Sequence, residues 1–158
     1  MAYADYQLYA EKYYGDTVPE SDFPKYAERA SDRIDAITFD RLIDGLPENE
    51  RAQTKIKKAA CAVAEALYQI DQIKKASMES VGTVTREDGT VVSKAVFSIS
   101  SGSESISYST GSSGGTESIY GQAAVDKKVE SVLLYQVAME YLSGVTDSKG
   151  ICLLYAGM

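Results

Sequence analysis

Residues 48–76 read ENERAQTKIKKAACAVAEALYQIDQIKKA, and this stretch decides the fold. Its apolar side chains repeat every three or four positions, which is typical of the buried face of an amphipathic helix. The predicted buried face consists of Ile56, Ala59 or Ala60, Val63, Ala66 or Leu67, Ile70 and Ile73. Pro47 is predicted as the first residue of this helix, because a first-turn position needs no N–H. The prediction is one long helix from about Glu48 to Ala76.

Two more long helical patterns flank this stretch. One begins near 21–24 and is predicted to run to Ile43 or Asp44, ending at Gly45. Its predicted buried face is Phe23, Tyr26 or Ala27, Ala30, Ile34 and Ile37. The other is predicted from Tyr120 to Ser143, with the buried face Val125, Val129, Val132, Leu133, Val137 and Tyr141.

A tyrosine-rich segment opens the chain. A short helix is predicted within residues 1–15, with Asp5 as its N-cap and Gly15 as its end. Tyr6, Tyr9 and Tyr13 repeat at helical spacing, and tyrosine combines apolar area with a polar tip. This face either packs on its own domain, which we favour, or docks on a neighbouring subunit.

Residues 81–118 change in composition and favour extended structure. Asp88-Gly89 between two β-branched runs predicts a β-hairpin, and Val96–Ser100 is predicted as a further strand. Ile106 and Tyr108 alternate with serines at strand period. Ten of the 21 residues from Ser98 to Ser118 are serine, so this part is predicted to be a long extended loop that only a partner would hold.

The chain closes on a polar stretch, 145–150, followed by the apolar residues 151–158. Such a tail either folds back onto its own core or docks elsewhere, and the residues leave both alternatives open. Its apolar run, residues 151–156, is far too short to span a membrane, and no membrane association is predicted.

Composition restricts the chemistry. The 158 residues include no histidine and no tryptophan, 12 tyrosines and two cysteines, with a net charge of −7. Catalysis by Ser-His-Asp or Cys-His groups and His-based zinc sites are therefore excluded. Dinucleotide, P-loop and nucleophile-elbow motifs are missing from the sequence. The prediction is a protein that is not an enzyme, with no catalytic residues, no cofactor and no metal.

Four segments together carry a resemblance to a known family: residues 3–15, 22–39, 103–109 and 150–158. In this order they resemble the head–tail connector proteins (adaptor or head-completion proteins) of tailed bacteriophages and prophages. Two positions depart from the pattern of that family. Cys152 replaces a usual glycine, and Ala156 stands where an arginine is common.

The predicted fold class is mainly α. It comprises a bundle of three long helices plus a short N-terminal helix, a β-hairpin and extended-loop insertion, and an extended C-terminal arm. One connector domain is predicted over residues 1–158, with helices in 1–80, the insertion in 81–118, the last long helix in 119–143 and the arm in 144–158.

The resemblance implies a structural virion protein. Copies of the chain would form a ring, commonly a dodecamer, beneath the portal protein. The ring would join the DNA-filled head to the stopper or tail completion protein. Duplex DNA would pass through the lumen without sequence-specific binding, which suits the acidic net charge. The implied location is the virion neck, reached from the host cytoplasm during assembly.

The resemblance also assigns three groups of site residues. The portal-binding arm would use Ile151, Leu153, Leu154 and Tyr155. The loop facing the channel or the next ring would present Arg86, Glu87, Asp88, Gly89, Ser105, Ile106 and Tyr108. A candidate subunit interface is formed by Tyr6, Tyr9 and Tyr13. The alternatives are another neck ring protein, such as a stopper or tail terminator, and a non-viral helical protein–protein adaptor.

Overall fold

Helices dominate the protein, as predicted from the sequence. The structure, a computed structural model, describes residues 2–79, 83–85, 91–93, 96–101, 104–109 and 118–155. The helices are α1 (Tyr6–Leu8), a π-helical turn (Tyr9–Tyr13), α2 (Phe23–Ile37), α3 (Glu50–Glu79), α4 (Ile119–Val125) and α5 (Lys127–Leu142). The mainly helical fold class is confirmed.

Between α3 and α4, the described residues include four short strands. β1 (Thr83–Thr85) pairs antiparallel with β2 (Val91–Ser93), which confirms the hairpin predicted there. β3 (Val96–Ser101) pairs antiparallel with β4 (Glu104–Ser109), with Ile99 opposite Ile106. Part of the predicted extended loop is therefore a second hairpin, because the alternating pattern allows the two backbones to pair.

The chain divides into two compact units. Unit 1 contains Met1–Tyr68 and Ser131–Met158, and unit 2 contains Gln69–Glu130. The core of unit 1 includes the predicted faces of α2 and α3, with Phe23, Ile34, Ile56 and Val63 almost completely buried. Burying such side chains contributes about 1.5–3 kcal/mol each, so these two faces supply much of the stability of unit 1.

Helix α2 ends earlier than predicted. The predicted end was Ile43 or Asp44, whereas the helix stops at Ile37 and Thr38 caps it. Phe39 and Asp40 then adopt left-handed backbone angles, with φ of 57° and 56°. A bulky residue rarely adopts this conformation, so the sequence gives no warning of the stop. The end is fixed by the surrounding structure.

The last long helix is two helices. Asp126 has an extended backbone and its carboxylate accepts a hydrogen bond from the Lys128 N–H at 2.7 Å, so it ends α4 and caps α5. An aspartate that bonds to the nearby backbone competes with helix continuation, which explains the break.

The break moves the buried face of α5 by about one residue from the predicted one. Val125 and Val132 were predicted to be buried but are 89% and 55% exposed. The residues that are buried on α5 are Glu130, Leu133, Leu134, Ala138 and Leu142. Within unit 2, Glu130 accepts a hydrogen bond from the Lys74 ammonium at 2.9 Å.

The N-terminal helix begins as predicted. The Asp5 carboxylate accepts a hydrogen bond from the Leu8 N–H at 2.8 Å, which confirms Asp5 as the N-cap. After one α-helical turn the chain continues as a π-helical turn and ends at Tyr14, whose φ is 62°. Gly15 follows directly, and a Cβ at this position would overlap the ring of Tyr9. Glycine is needed here for the close approach of a buried ring.

Candidate functional site

The tyrosine-rich segment packs within unit 1. The ring of Tyr9 is completely buried and lies 4.7 Å from the ring of Phe23, centroid to centroid. Tyr6 lies edge-on to Phe23 at 5.7 Å, and Tyr13 lies 6.3 Å from Tyr141. The predicted subunit-interface residues thus contact the core of their own unit.

Glu65 is bonded to this tyrosine cluster. Its carboxylate accepts a hydrogen bond from the hydroxyl of Tyr13 at 3.1 Å and a longer one from Tyr9 at 3.5 Å. Burial and the neighbouring Glu65 hold the pKa of Tyr13 well above its usual range. Burial likewise raises the pKa of Tyr9 to about 12. Glu65 is therefore occupied in holding the N-terminal segment on α3.

The C-terminal segment turns back onto the rest of unit 1. Thr146 pairs antiparallel with Cys152, and the Leu153 N–H donates to the Val145 carbonyl at 2.9 Å. Leu153 is completely buried, whereas Tyr155 is 54% exposed. Of the arm residues predicted for portal binding, Leu153 belongs to the core, Leu154 is half-buried, and Ile151 and Tyr155 reach the surface.

The predicted channel-loop residues fall into two groups. Residues 86–89 lie outside the described residues. Ser105, Ile106 and Tyr108 belong to strand β4. Only the second group therefore has a described place in the fold, and the channel-loop assignment stays a prediction.

A groove of about 630 Å³ lies between the beginning of α3 and the turn at 144–150, both in unit 1. One wall is formed by residues 47–49, 51, 52 and 55, and the other by residues 144–148 and 150. A volume of this size is typical of sites that bind small molecules or short segments of chain. We take this groove as the candidate functional site.

The α3 wall of the groove depends on Asn49. Its side-chain oxygen accepts hydrogen bonds from the Arg51 and Ala52 N–H groups at 2.9 and 3.2 Å, so Asn49 caps the helix. This cap corrects the prediction that the helix starts at about Glu48, with Pro47 as its first residue. Helix α3 begins at Glu50. The cap leaves Glu48 before the helix and places Arg51 in its first turn.

The opposite wall is fixed by Asp147. One carboxylate oxygen accepts hydrogen bonds from the Lys149 and Ile151 N–H groups at 2.8 and 2.9 Å. The other oxygen lies 3.8 Å from the Arg41 guanidinium. Gly150 completes the turn with a φ of 79°, which favours glycine. The Asp147 carboxylate thus holds the turn together, and the polar stretch 145–150 is a closed turn.

The groove also holds side chains that remain available for a ligand. Glu48 and Ser148 are exposed, and Thr146 is exposed beside them. Arg51 and Lys55 contribute a guanidinium and an ammonium group. Among the described residues, Glu48, Arg51 and Lys55 form no side-chain hydrogen bond or ion pair. The groove therefore offers carboxylate, hydroxyl and cationic groups together.

A second depression of about 550 Å³ lies near the N-terminus. Its walls include residues 2–5 and the loop after α2, and its carboxylate Asp35 accepts a hydrogen bond from the Tyr3 hydroxyl. Burial and the bond to Asp35 hold the pKa of Tyr3 well above its usual range. This carboxylate is already occupied, so the depression offers less chemistry than the groove.

Within the part of the chain that the structure describes, no group of three or more His, Cys, Asp or Glu side chains is arranged to hold a metal ion. In that same part, no helix combines the length and the hydrophobicity that a membrane span requires.

Sequence reasoning missed the groove and most of its residues. Asn49 was detectable, because asparagine before an apolar periodic run is a common N-cap. The pairing of Arg41 with Asp147 had no signal, because the two residues are far apart in the sequence and only the fold brings them together. Lys55 stands in the sequence close to Lys57 and Lys58, and such a basic cluster is usually a solvated helix face.

Comparison with known protein families gives a match over most of the chain. The model of the family BSP, described as peptidase of plants and bacteria, matches residues 25–158. No curated protein and no solved structure matches this chain. The matched range contains all the residues that line the groove.

The match overturns several predictions. The identification as a phage head–tail connector, with its structural role in the virion neck, is wrong because the matched family is one of peptidases. The ring, the portal and tail partners, the passing DNA and the virion location followed from the resemblance, and the match gives them no support. The alternative of a non-viral adaptor is only weakly compatible with it.

The prediction that the chain is not an enzyme is overturned by the same match. The lack of histidine excludes histidine-dependent mechanisms, but it leaves catalysis by carboxylate and hydroxyl groups open. The earlier exclusion was therefore too broad. Since the family model covers most of its length, this chain belongs to the BSP family, the peptidases of plants and bacteria.

Proposed function

We propose that the protein is a peptidase that binds its polypeptide substrate in the groove between α3 and the 144–150 turn. The observation that carries the proposal is that every residue lining this groove falls within the range matched by the peptidase family. The second depression uses residues 2–5, which precede that range. The groove is also the larger of the two.

Glu48 is the proposed general base. Because the chain has no histidine, a carboxylate is the side chain best suited to take a proton from water at neutral pH. Asp147 is held by two N–H groups and Arg41, which leaves Glu48 as the accessible carboxylate of the groove. As the water oxygen bonds to the peptide carbonyl carbon, Glu48 takes its proton. The proton passes to the leaving nitrogen when the C–N bond breaks.

Hydroxyl groups on the opposite wall suit the charge that develops in this reaction. Thr146 and Ser148 are exposed in the groove and can donate hydrogen bonds to the carbonyl oxygen as it becomes negative. Losing one donor of this kind typically reduces the rate by about 10²–10³-fold. The turn held by Asp147 gives these donors a fixed position.

A cleavage assay tests the proposal. The purified protein is incubated with a mixture of synthetic peptides, and new peptide ends are identified by mass spectrometry. We expect cleavage by the wild type and a decrease of at least about 100-fold in Glu48→Gln, which loses the base. Glu20→Gln removes a carboxylate that is also exposed but lies outside the groove, and it should retain full activity.

Two results would overturn the proposal. One is a wild-type protein that cleaves no peptide in the mixture. The other is a Glu48→Gln variant that cleaves as fast as the wild type, which would assign the activity to another group or to a contaminant that is purified alongside all the variants.

A further inference from the structure

Two cations lie side by side in the groove. Arg51 and Lys55 are four residues apart in α3, so they share one face of the helix, and both line the groove. Arg51 lies in the first turn, directly after the capping residue Asn49. The spacing directs a guanidinium and an ammonium group toward the same space.

This arrangement has a cost within the protein alone. Like charges at this spacing destabilise a helix. Cations are also unfavourable in the first turn, because the N-terminal end of a helix carries a partial positive charge. Neither cation has an ion-pair partner in the part of the chain that the structure describes. The two positive charges therefore make no stabilising ion pair among the described residues.

The acidic groups on the groove walls do not cancel this charge, and Glu50, in the same first turn of α3, is not one of the lining residues. The carboxylate of Asp147 is already compensated by Arg41 and by two backbone N–H groups. Glu48 contributes one negative charge, so one positive charge remains in the groove. The chain as a whole has a net charge of −7, so a positive groove contrasts with the overall charge of the protein.

We propose that Arg51 and Lys55 bind a carboxylate of the substrate peptide, a specificity that rests on the peptidase function proposed above. Guanidinium groups bind carboxylates through two parallel N–H donors, and an ammonium group adds a point charge. The backbone N–H groups of Arg51 and Ala52 are already bonded to Asn49, so the two side chains supply the contacts. The carboxylate belongs either to an acidic side chain or to the C-terminus of the peptide.

Peptide binding to the full-length protein, measured by fluorescence anisotropy, tests this specificity. Four labelled peptides are compared that are otherwise identical. They combine glutamate or glutamine at a central position with a free or an amidated C-terminus. We expect the preferred carboxylate to tighten binding about tenfold relative to the fully neutral peptide, and high salt to weaken it. The comparison between the two kinds of carboxylate identifies its source.

Matched variants assign the effect to the two side chains. Arg51→Gln combined with Lys55→Gln should bind all four peptides with the affinity of the neutral one. Lys12→Gln combined with Lys128→Gln removes the same charge from exposed positions outside the groove and should retain the preference.

The outcomes separate this inference from the proposed function. If neutral and acidic peptides bind equally well, the carboxylate specificity is refuted and the peptide-binding groove stands. If the preference survives in the double variant of Arg51 and Lys55, these two residues are not its source. If no peptide binds at all, the proposed function fails together with the specificity. Carboxylate-dependent binding without cleavage supports the specificity and counts against the peptidase activity.

Discussion

The two ends of the chain pack in the same unit but are held by different interactions. The N-terminal segment is held by aromatic rings: Tyr9 is buried against Phe23, and its hydroxyl accepts hydrogen bonds from the Thr17 and Val18 N–H groups at 3.1 Å each. The C-terminal segment is held by a turn, in which the Asp147 N–H donates to the Ile151 carbonyl at 2.8 Å. Leu153 is its one completely buried side chain among the described residues.

The difference shows two ways of attaching a terminal segment. A tyrosine supplies apolar area and a polar group at once, so one ring both fills the core and satisfies neighbouring backbone groups. A leucine supplies apolar area alone, so the polar groups around it must be satisfied by the backbone and by Asp147. We expect the attachment of the C-terminal segment to depend mainly on the burial of Leu153. The attachment of the N-terminal segment should depend also on the hydrogen bonds to the Tyr9 hydroxyl.

Leu153→Ala should have the largest effect on stability. Removing a completely buried leucine side chain leaves a cavity, and we expect the free energy of unfolding to fall by about 3 kcal/mol. Urea denaturation measures this change. Ile151→Ala is the control, since Ile151 is 39% exposed and its truncation should cost less than about 1 kcal/mol. Equal losses in both variants would mean that Leu153 does not anchor the segment.

Tyr9→Phe should have the next largest effect. The ring remains, but the buried Val18 N–H and the partly buried Thr17 N–H lose their acceptor, which costs about 1–3 kcal/mol. Tyr14→Phe is the control because Tyr14 is 82% exposed, and its stability should stay within about 0.5 kcal/mol of the wild type. If Tyr9→Phe is as stable as the wild type, the hydroxyl does not contribute to holding the N-terminal segment.

Alkaline pH should produce the smallest of the three effects. The pKa of Tyr9 rises from its ordinary 10.0 to about 12 in the folded protein, mainly because of burial. The folded state thus retains this proton longer than the unfolded state does. The stability linked to it is complete below pH 10 and is lost as pH rises through about 12.

Denaturation of the wild type and of Tyr9→Phe over this pH range isolates the contribution of Tyr9. The wild type should lose more stability than the variant, which lacks the titrating group. Parallel losses in the two proteins would attribute the alkaline sensitivity to other groups, such as Tyr3 and Tyr13, whose pKa values also rise.

Local patterns predicted much of the fold. Apolar periodicity identified the buried faces of α2 and α3, Asp5 was recognised as an N-cap, and the strand period located β3 and β4. These features depend on residues close together in the sequence, where spacing alone determines which side chains share a face.

Features that depend on distant residues were not predictable in this way. The left-handed residues Phe39 and Asp40 end α2 without a glycine or proline to mark the position. Arg41, two residues after Phe39, donates a hydrogen bond to the Tyr155 carbonyl, 114 residues away in the sequence. No local pattern reports such a contact.

The candidate site was unpredictable for the same reason. Its walls come from residues 47–55 and 144–150, and neither stretch contains a catalytic motif. Arg51 and Lys55 look like ordinary residues of a solvated helix until the turn fixed by Asp147 closes the other side of the groove. A site built from common residue types becomes visible only through the fold.

The discontinuous make-up of unit 1 has a consequence for synthesis on the ribosome. Unit 2 is one continuous stretch, so all of its residues emerge together, whereas unit 1 combines Met1–Tyr68 with Ser131–Met158. The buried faces of α2 and α3 are synthesised before Leu133, Leu134 and Leu153. The core of unit 1 is therefore incomplete until these leucines have been added. During that interval the nascent chain exposes apolar helix faces, so a chaperone that shields them is most useful before residue 153 has emerged.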